Sequence, residues 1–100
     1  MTPKKFKKQP WEKRVLNVDC TDALPTGVTI TTLDPEMYDD EGTDVTATMI
    51  DTFSIDTHHA LITVMAGTDG ETYDLKIKLT LSNGEQVEDD MKVIVKEKGQ

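Results

Sequence analysis

Apolar residues recur at every second position over most of this chain, the period of a β-strand with one buried face. From Arg14 onward Leu16, Val18 and Cys20 alternate with Asn17 and Asp19, which predicts a first strand. Residues 22–27 supply turn chemistry through Pro25 and Gly27. Residues 28–33 are rich in β-branched side chains and predict a second strand, ended by Asp34-Pro35. Residues 34–44 read as an acidic loop, and residues 45–50 as a third strand with Val45, Ala47 and Met49 on one face. Phe53 and Ile55 mark a short fourth strand. Residues 60–66 are apolar except for Thr63. One face of that strand must see the core, so either Ile62 and Val64 or Leu61 and Met65 are left for a partner or for a covering loop.

Residues 73–81 and 85–96 give the clearest alternation, with Tyr73, Leu75, Ile77, Leu79 and Leu81 on one face. Asn83-Gly84 ordinarily signals a two-residue hairpin loop. That loop would pair Leu79 with Glu88 and Lys76 with Met91, mixing apolar and charged residues on each face. A three-residue loop, Ser82-Asn83-Gly84 with Gly84 left-handed, instead pairs Leu79 with Val87, Leu75 with Met91 and Tyr73 with Val93. It also sets Asp74 opposite Lys92, Lys76 opposite Asp90 and Lys78 opposite Glu88, three favourable cross-strand pairs. Asp89 alone faces inward, opposite Ile77, so a bulge or an end-of-core position is expected there.

About seven short strands separated by turn signals imply an antiparallel β-sandwich or barrel. Tyr73 favours the immunoglobulin-like sandwich. It follows the turn Gly67-Thr68-Asp69-Gly70 and precedes inward Leu75 by two residues, as the tyrosine corner of such domains does. With Cys20 as the only cysteine there is no intrachain disulfide, and packing must hold the sheets together. The expected organisation is a flexible basic N-terminal arm over residues 1–11 and an all-β, immunoglobulin-like domain over residues 12–98.

Charge divides the chain in the same place. The formal net charge is −8, yet residues 1–14 carry Lys4, Lys5, Lys7, Lys8, Lys13 and Arg14 against Glu12 alone. That segment is net +5, leaving −13 on the remainder. An acidic body of this size repels phosphate, and no basic stripe recurs downstream, so nucleic acid is not the expected partner. No apolar run approaches the ~18 residues of a membrane span, and the basic start lacks the apolar region of a signal peptide. The expectation is a soluble chain made in a cytoplasm, with no membrane contact.

Candidate chemistry is sparse. Asp39, Asp40, Glu41 and Asp44 could offer oxygens to Ca²⁺, but their spacing does not fit an EF-hand loop. His58 and His59, adjacent in sequence, would point to opposite faces of a strand. No acid, base and nucleophile can be assembled from neighbouring residues, so neither catalysis nor a cofactor is expected. What remains is a set of candidate partner contacts: Phe6 and Trp11 in the arm, Asp39, Asp40 and Glu41 in the loop, and Ile62 and Val64 on the apolar strand.

Four stretches in order carry a family resemblance: Lys8-Gln-Pro-Trp-Glu-Lys-Arg-Val-Leu-Asn-Val-Asp, Leu24-Pro-Thr-Gly-Val-Thr-Ile, residues 60–73 ending in Gly-Thr-Asp-Gly-Glu-Thr-Tyr, and the Asn83-Gly hairpin with Glu88-Asp-Asp-Met-Lys-Val-Ile-Val-Lys. Together they resemble small phage and prophage immunoglobulin-like virion proteins of the fibre-to-tail or head-to-tail adaptor type. Trp11 stands where that family usually has an acidic residue, and Ala66-Gly67 where it has Gly-Gly. The resemblance implies a non-enzymatic assembly protein of the virion whose partners are other virion proteins. The alternative is an immunoglobulin-like adhesion or ligand-binding module, Ca²⁺-dependent through the 34–44 loop.

Overall fold

The computed structural model describes residues 4–97. Seven strands form two sheets: β1 (Lys4–Lys8), β2 (Arg14–Asp19), β3 (Ile30–Tyr38), β4 (Ile50–Asp56), β5 (His59–Val64), β6 (Thr72–Leu81) and β7 (Gln86–Val95). A 3₁₀ turn at Thr21–Ala23 and a single helical turn, α1 (Thr46–Met49), complete the described elements. The four-stranded sheet has the order β1-β7-β6-β3 and the three-stranded sheet β2-β5-β4. No disulfide links them; Cys20, just after β2, is a buried cysteine.

One hydrophobic core lies between the sheets. Leu16, Val18, Ile50, Ala60, Ile62 and Val64 come from one side, and Leu33, Met37, Leu75, Ile77, Leu79, Val93 and Val95 from the other. The β6–β7 hairpin has the register expected from its pattern, with Leu79 opposite Val87 and Leu75 opposite Met91. Gly84 takes φ 90°, the left-handed conformation the three-residue loop needs. Asp89 faces inward opposite Ile77 and is only 4% exposed. The ladder passes through it without a bulge. Its Oδ1 accepts the Asp90 amide at 2.9 Å, which gives the buried carboxylate a local donor.

The outward charges of this sheet pair differently from expectation. Lys92 and Asp74 form their cross-strand ion pair. Lys78 and Lys76, although opposite Glu88 and Asp90, turn to the other neighbour, β3. Lys78 reaches Glu36 at 3.1 Å, and Lys76 lies 5.6 Å from the centre of the Tyr38 ring. The pattern of one hairpin alone could not show which flanking strand would compete for its lysines.

Three elements depart from the sequence reading. The second strand runs through Asp34-Pro35 to Tyr38, shortening the acidic loop to residues 39–44. Pro35 is tolerated because β3 is an edge strand, where one side of the backbone needs no ladder partner. Residues 46–49 form a helical turn rather than a strand. Asp44 Oδ1 accepts the Thr46 amide at 2.9 Å, and Thr46 Oγ1 accepts the Met37 amide at 2.9 Å, so two short polar side chains favour the turn locally. The strand foreseen around Phe53 and Ile55 is β4, longer than expected and irregular in register between Ile50 and Phe53.

A fourth departure matters most. Residues 4–8, expected as part of a free arm, form β1 and pair in parallel with β7, Phe6 beside Val93 and Lys8 beside Val95. Phe6 packs against the core. Lys8 occupies an inward position because its methylene stem buries like an aliphatic side chain while the ammonium reaches backbone oxygens. Read as a charge, Lys8 conceals the alternation that makes this segment a strand.

Candidate partner-contact surfaces

The strands place three connections at one end of a body about 45 Å long and 24 Å across. These are the β1–β2 turn, the loop from β3 to β4, and the β5–β6 loop. Arg14, Val64 and Ile50 sit side by side at this end of the three-stranded sheet, and Lys8, Val95 and Thr72 lie near it in the other. Residues 20–29, 57–58 and 82–84 lie at the opposite end.

At the first end the structure builds an unusual corner. Lys8 is 3% exposed, and its Nζ donates to the carbonyl oxygens of Gln9 at 2.7 Å, Pro10 at 3.5 Å and Ala66 in a still shorter contact. Burial pushes the Lys8 pKa down from the ordinary lysine value, and the Glu12 carboxylate opposes that shift. The turn then closes on itself: the Glu12 amide donates to the Gln9 carbonyl at 3.1 Å, and the Gln9 amide to Glu12 Oε1 at 2.7 Å. Pro10 fits the second position of such a turn because its φ is already set. Trp11 follows and stands 94% exposed.

The β5–β6 loop is shaped to meet this corner. Ala66 has φ 57°, a left-handed conformation that costs a non-glycine residue roughly 1 kcal/mol. In that conformation its carbonyl serves as the distant acceptor for Lys8. Gly67 has φ 99°, and a Cβ there would come within 2.7 Å of Val95 Cγ2, so only glycine lets the loop lie against β7. Farther along, the Thr68 amide donates to the Tyr73 hydroxyl at 2.9 Å. The tyrosine thus bonds back to the backbone upstream of its own strand.

The acidic loop is more inward-turned than its composition suggests. Asp39 Oδ1 accepts the amides of Glu41 at 2.9 Å and Thr43 at 2.8 Å, and Asp44 holds the Thr46 amide. The hydrogen bonds from Thr46 hold the Asp44 carboxyl below its usual range. Asp40 and Glu41 remain exposed. Elsewhere, His59 Nδ1 lies 2.7 Å from Asn17 Oδ1, and the His58 backbone carbonyl accepts the Cys20 amide. Among the described residues, no three His, Cys, Asp or Glu side chains gather as metal ligands.

The candidate contacts therefore separate. Trp11, Asp40 and Glu41 are exposed, and Trp11 and residues 39–41 share one end of the body. Phe6 is half-buried beneath the Arg14 guanidinium, 5.6 Å from its ring centre. Ile62 and Val64 are wholly buried and belong to the core; Leu61 and Met65 alternate with them and are only half-covered. The hydrophobic run could not reveal which face pointed outward, because both faces carry apolar residues.

Residues 8–94 match the family described as podophage GP4 fiber-tail adaptor protein gp77. The chain belongs to this family. As a fibre–tail adaptor by family, it has a structural role in a phage tail. The matched span opens at Lys8 and so takes in the whole Lys8–Glu12 corner of the adaptor. No curated protein matches the chain.

Proposed function

We propose that this chain is a non-enzymatic, immunoglobulin-like adaptor domain that joins other virion proteins of a phage tail through surfaces at its ends and faces. The family match over residues 8–94 carries the reading. The strand orders β2-β5-β4 and β1-β7-β6-β3 correspond to the two sheets of an immunoglobulin-like sandwich, and the Tyr73–Thr68 hydrogen bond has the form of its tyrosine corner. Its polar side chains serve the fold: Cys20 is buried, His59 meets Asn17, and Asp39 and Asp44 close their own loop. Binding then falls to exposed surface, in particular Trp11 and the outward part of loop 39–44. Neither nucleic acid nor membrane is needed as a partner.

Reconstitution tests this reading. The fibre protein and the tail protein of the same phage, mixed with the purified chain, are expected to give a three-component complex by size-exclusion chromatography with light scattering. Stable association of fibre with tail irrespective of the chain would contradict it.

A further inference from the structure

We infer that Trp11 is the anchor of an interface, inserted into an apolar pocket of a different virion protein and held ready for it by Lys8. The inference rests on the adaptor reading and assigns it a contact residue and a class of complementary site. Three observations carry it. An indole 94% exposed leaves a large apolar surface in water, and a buried tryptophan is among the side chains that most often dominate an interface. The turn presenting it is closed by two hydrogen bonds between Gln9 and Glu12. Beneath that turn, Lys8 gives up most of its hydration to tie the carbonyls of Gln9 and Pro10 to that of Ala66, 58 residues away. A turn whose backbone is ordered before binding leaves less entropy to lose on binding.

The charges near the corner indicate what it meets. Glu12 pairs with Arg14 at 3.6 Å and Lys13 with Asp51 at 3.2 Å. The charged residues that immediately follow Trp11 are thus compensated within the chain, which suits an apolar pocket better than a strongly charged groove. A second copy of the chain is a poor occupant. Copies at net −8 repel one another, and the hollow beside Tyr38 is lined by Asp39, Asp40, Asp74 and Lys76, which does not suit an indole.

Trp11 is the only tryptophan, so its fluorescence reports this site alone. Full-length chain is titrated separately with the purified fibre protein and the purified tail protein of the same phage. With one of them the emission is expected to move to shorter wavelength and become shielded from iodide quenching. Trp11→Ala should weaken that association by about 30-fold or more, measured by calorimetry, with the fold unchanged by circular dichroism. Lys8→Met, which keeps the indole, should weaken it by a smaller factor. Association as tight for Trp11→Ala as for the original chain would overturn the anchor while leaving the adaptor reading intact. A shift that grows with the chain's own concentration would assign the pocket to a second copy and overturn the choice of partner. If neither protein bound the original chain, the adaptor reading would fail and the anchor with it.

Discussion

The β6–β7 hairpin and the Lys8–Glu12 corner are both tight and well hydrogen-bonded, but they use their residues for different ends. In the hairpin every layer serves folding. Leu75, Ile77 and Leu79 fill the core, Asp74 and Lys92 pair outside, and the tip is small and polar. In the corner a lysine is buried, Ala66 is held left-handed, and the result is an indole in solvent. Stability alone gives no reason for that combination. The hairpin serves the fold of this adaptor, and the corner is the surface we propose it offers to a partner.

Substitutions should expose the contrast. Ile77→Ala, in the wholly buried centre of β6, should cost about 2–5 kcal/mol in denaturant unfolding, the range for a buried aliphatic truncation. Lys8→Met keeps the stem but leaves the Ala66 carbonyl without its ammonium donor, and should cost about 1–3 kcal/mol. Ala66→Gly should relieve the left-handed strain and gain under about 1 kcal/mol, partly offset by the freer unfolded chain. Equal losses for Ile77→Ala and Lys8→Met would erase the distinction between core and corner.

The outward face of the four-stranded sheet adds a smaller, pH-dependent effect. The Glu36 carboxyl is held below its usual range, first by the hydrogen bond from the Tyr38 hydroxyl and then by that from Lys78. A depressed folded pKa means that this stabilisation is complete above the ordinary glutamate value of 4.5 and is lost as pH falls through the folded value. Glu36→Gln should therefore lose less stability than the original chain on acidification below pH 4.5. Parallel acid profiles for the two proteins would show that the pairing contributes nothing. The smallest stability effect belongs to Trp11→Ala, within about 0.5 kcal/mol, because the indole touches so little.

The hairpin was legible in the sequence because burial and charge agreed. Only the three-residue loop puts Tyr73, Leu75 and Leu79 against Val93, Met91 and Val87 while also pairing opposite charges. Tyr73 likewise announced its own hydrogen bond through its place after a glycine-rich turn. The candidate surface was legible only in part. Trp11 was visible as an unusual residue, but its pedestal depends on Ala66, and no local pattern links positions 58 residues apart. Pro35 misled because its acceptability depends on β3 lying at an edge, which is a property of the whole sheet. Ile62 and Val64 misled because alternation has no direction when both faces are apolar.

The most direct test of the account is the backbone motion of the Lys8–Glu12 corner in the isolated chain, read from amide nitrogen relaxation at Gln9, Trp11 and Glu12 before and after Lys8→Met. If Lys8 holds the corner, these amides in the original chain should move only with the tumbling of the whole domain. The variant should gain a fast local component while its circular dichroism stays the same. An equally large fast component in both proteins would contradict the claim that the buried lysine fixes the turn that carries this tryptophan.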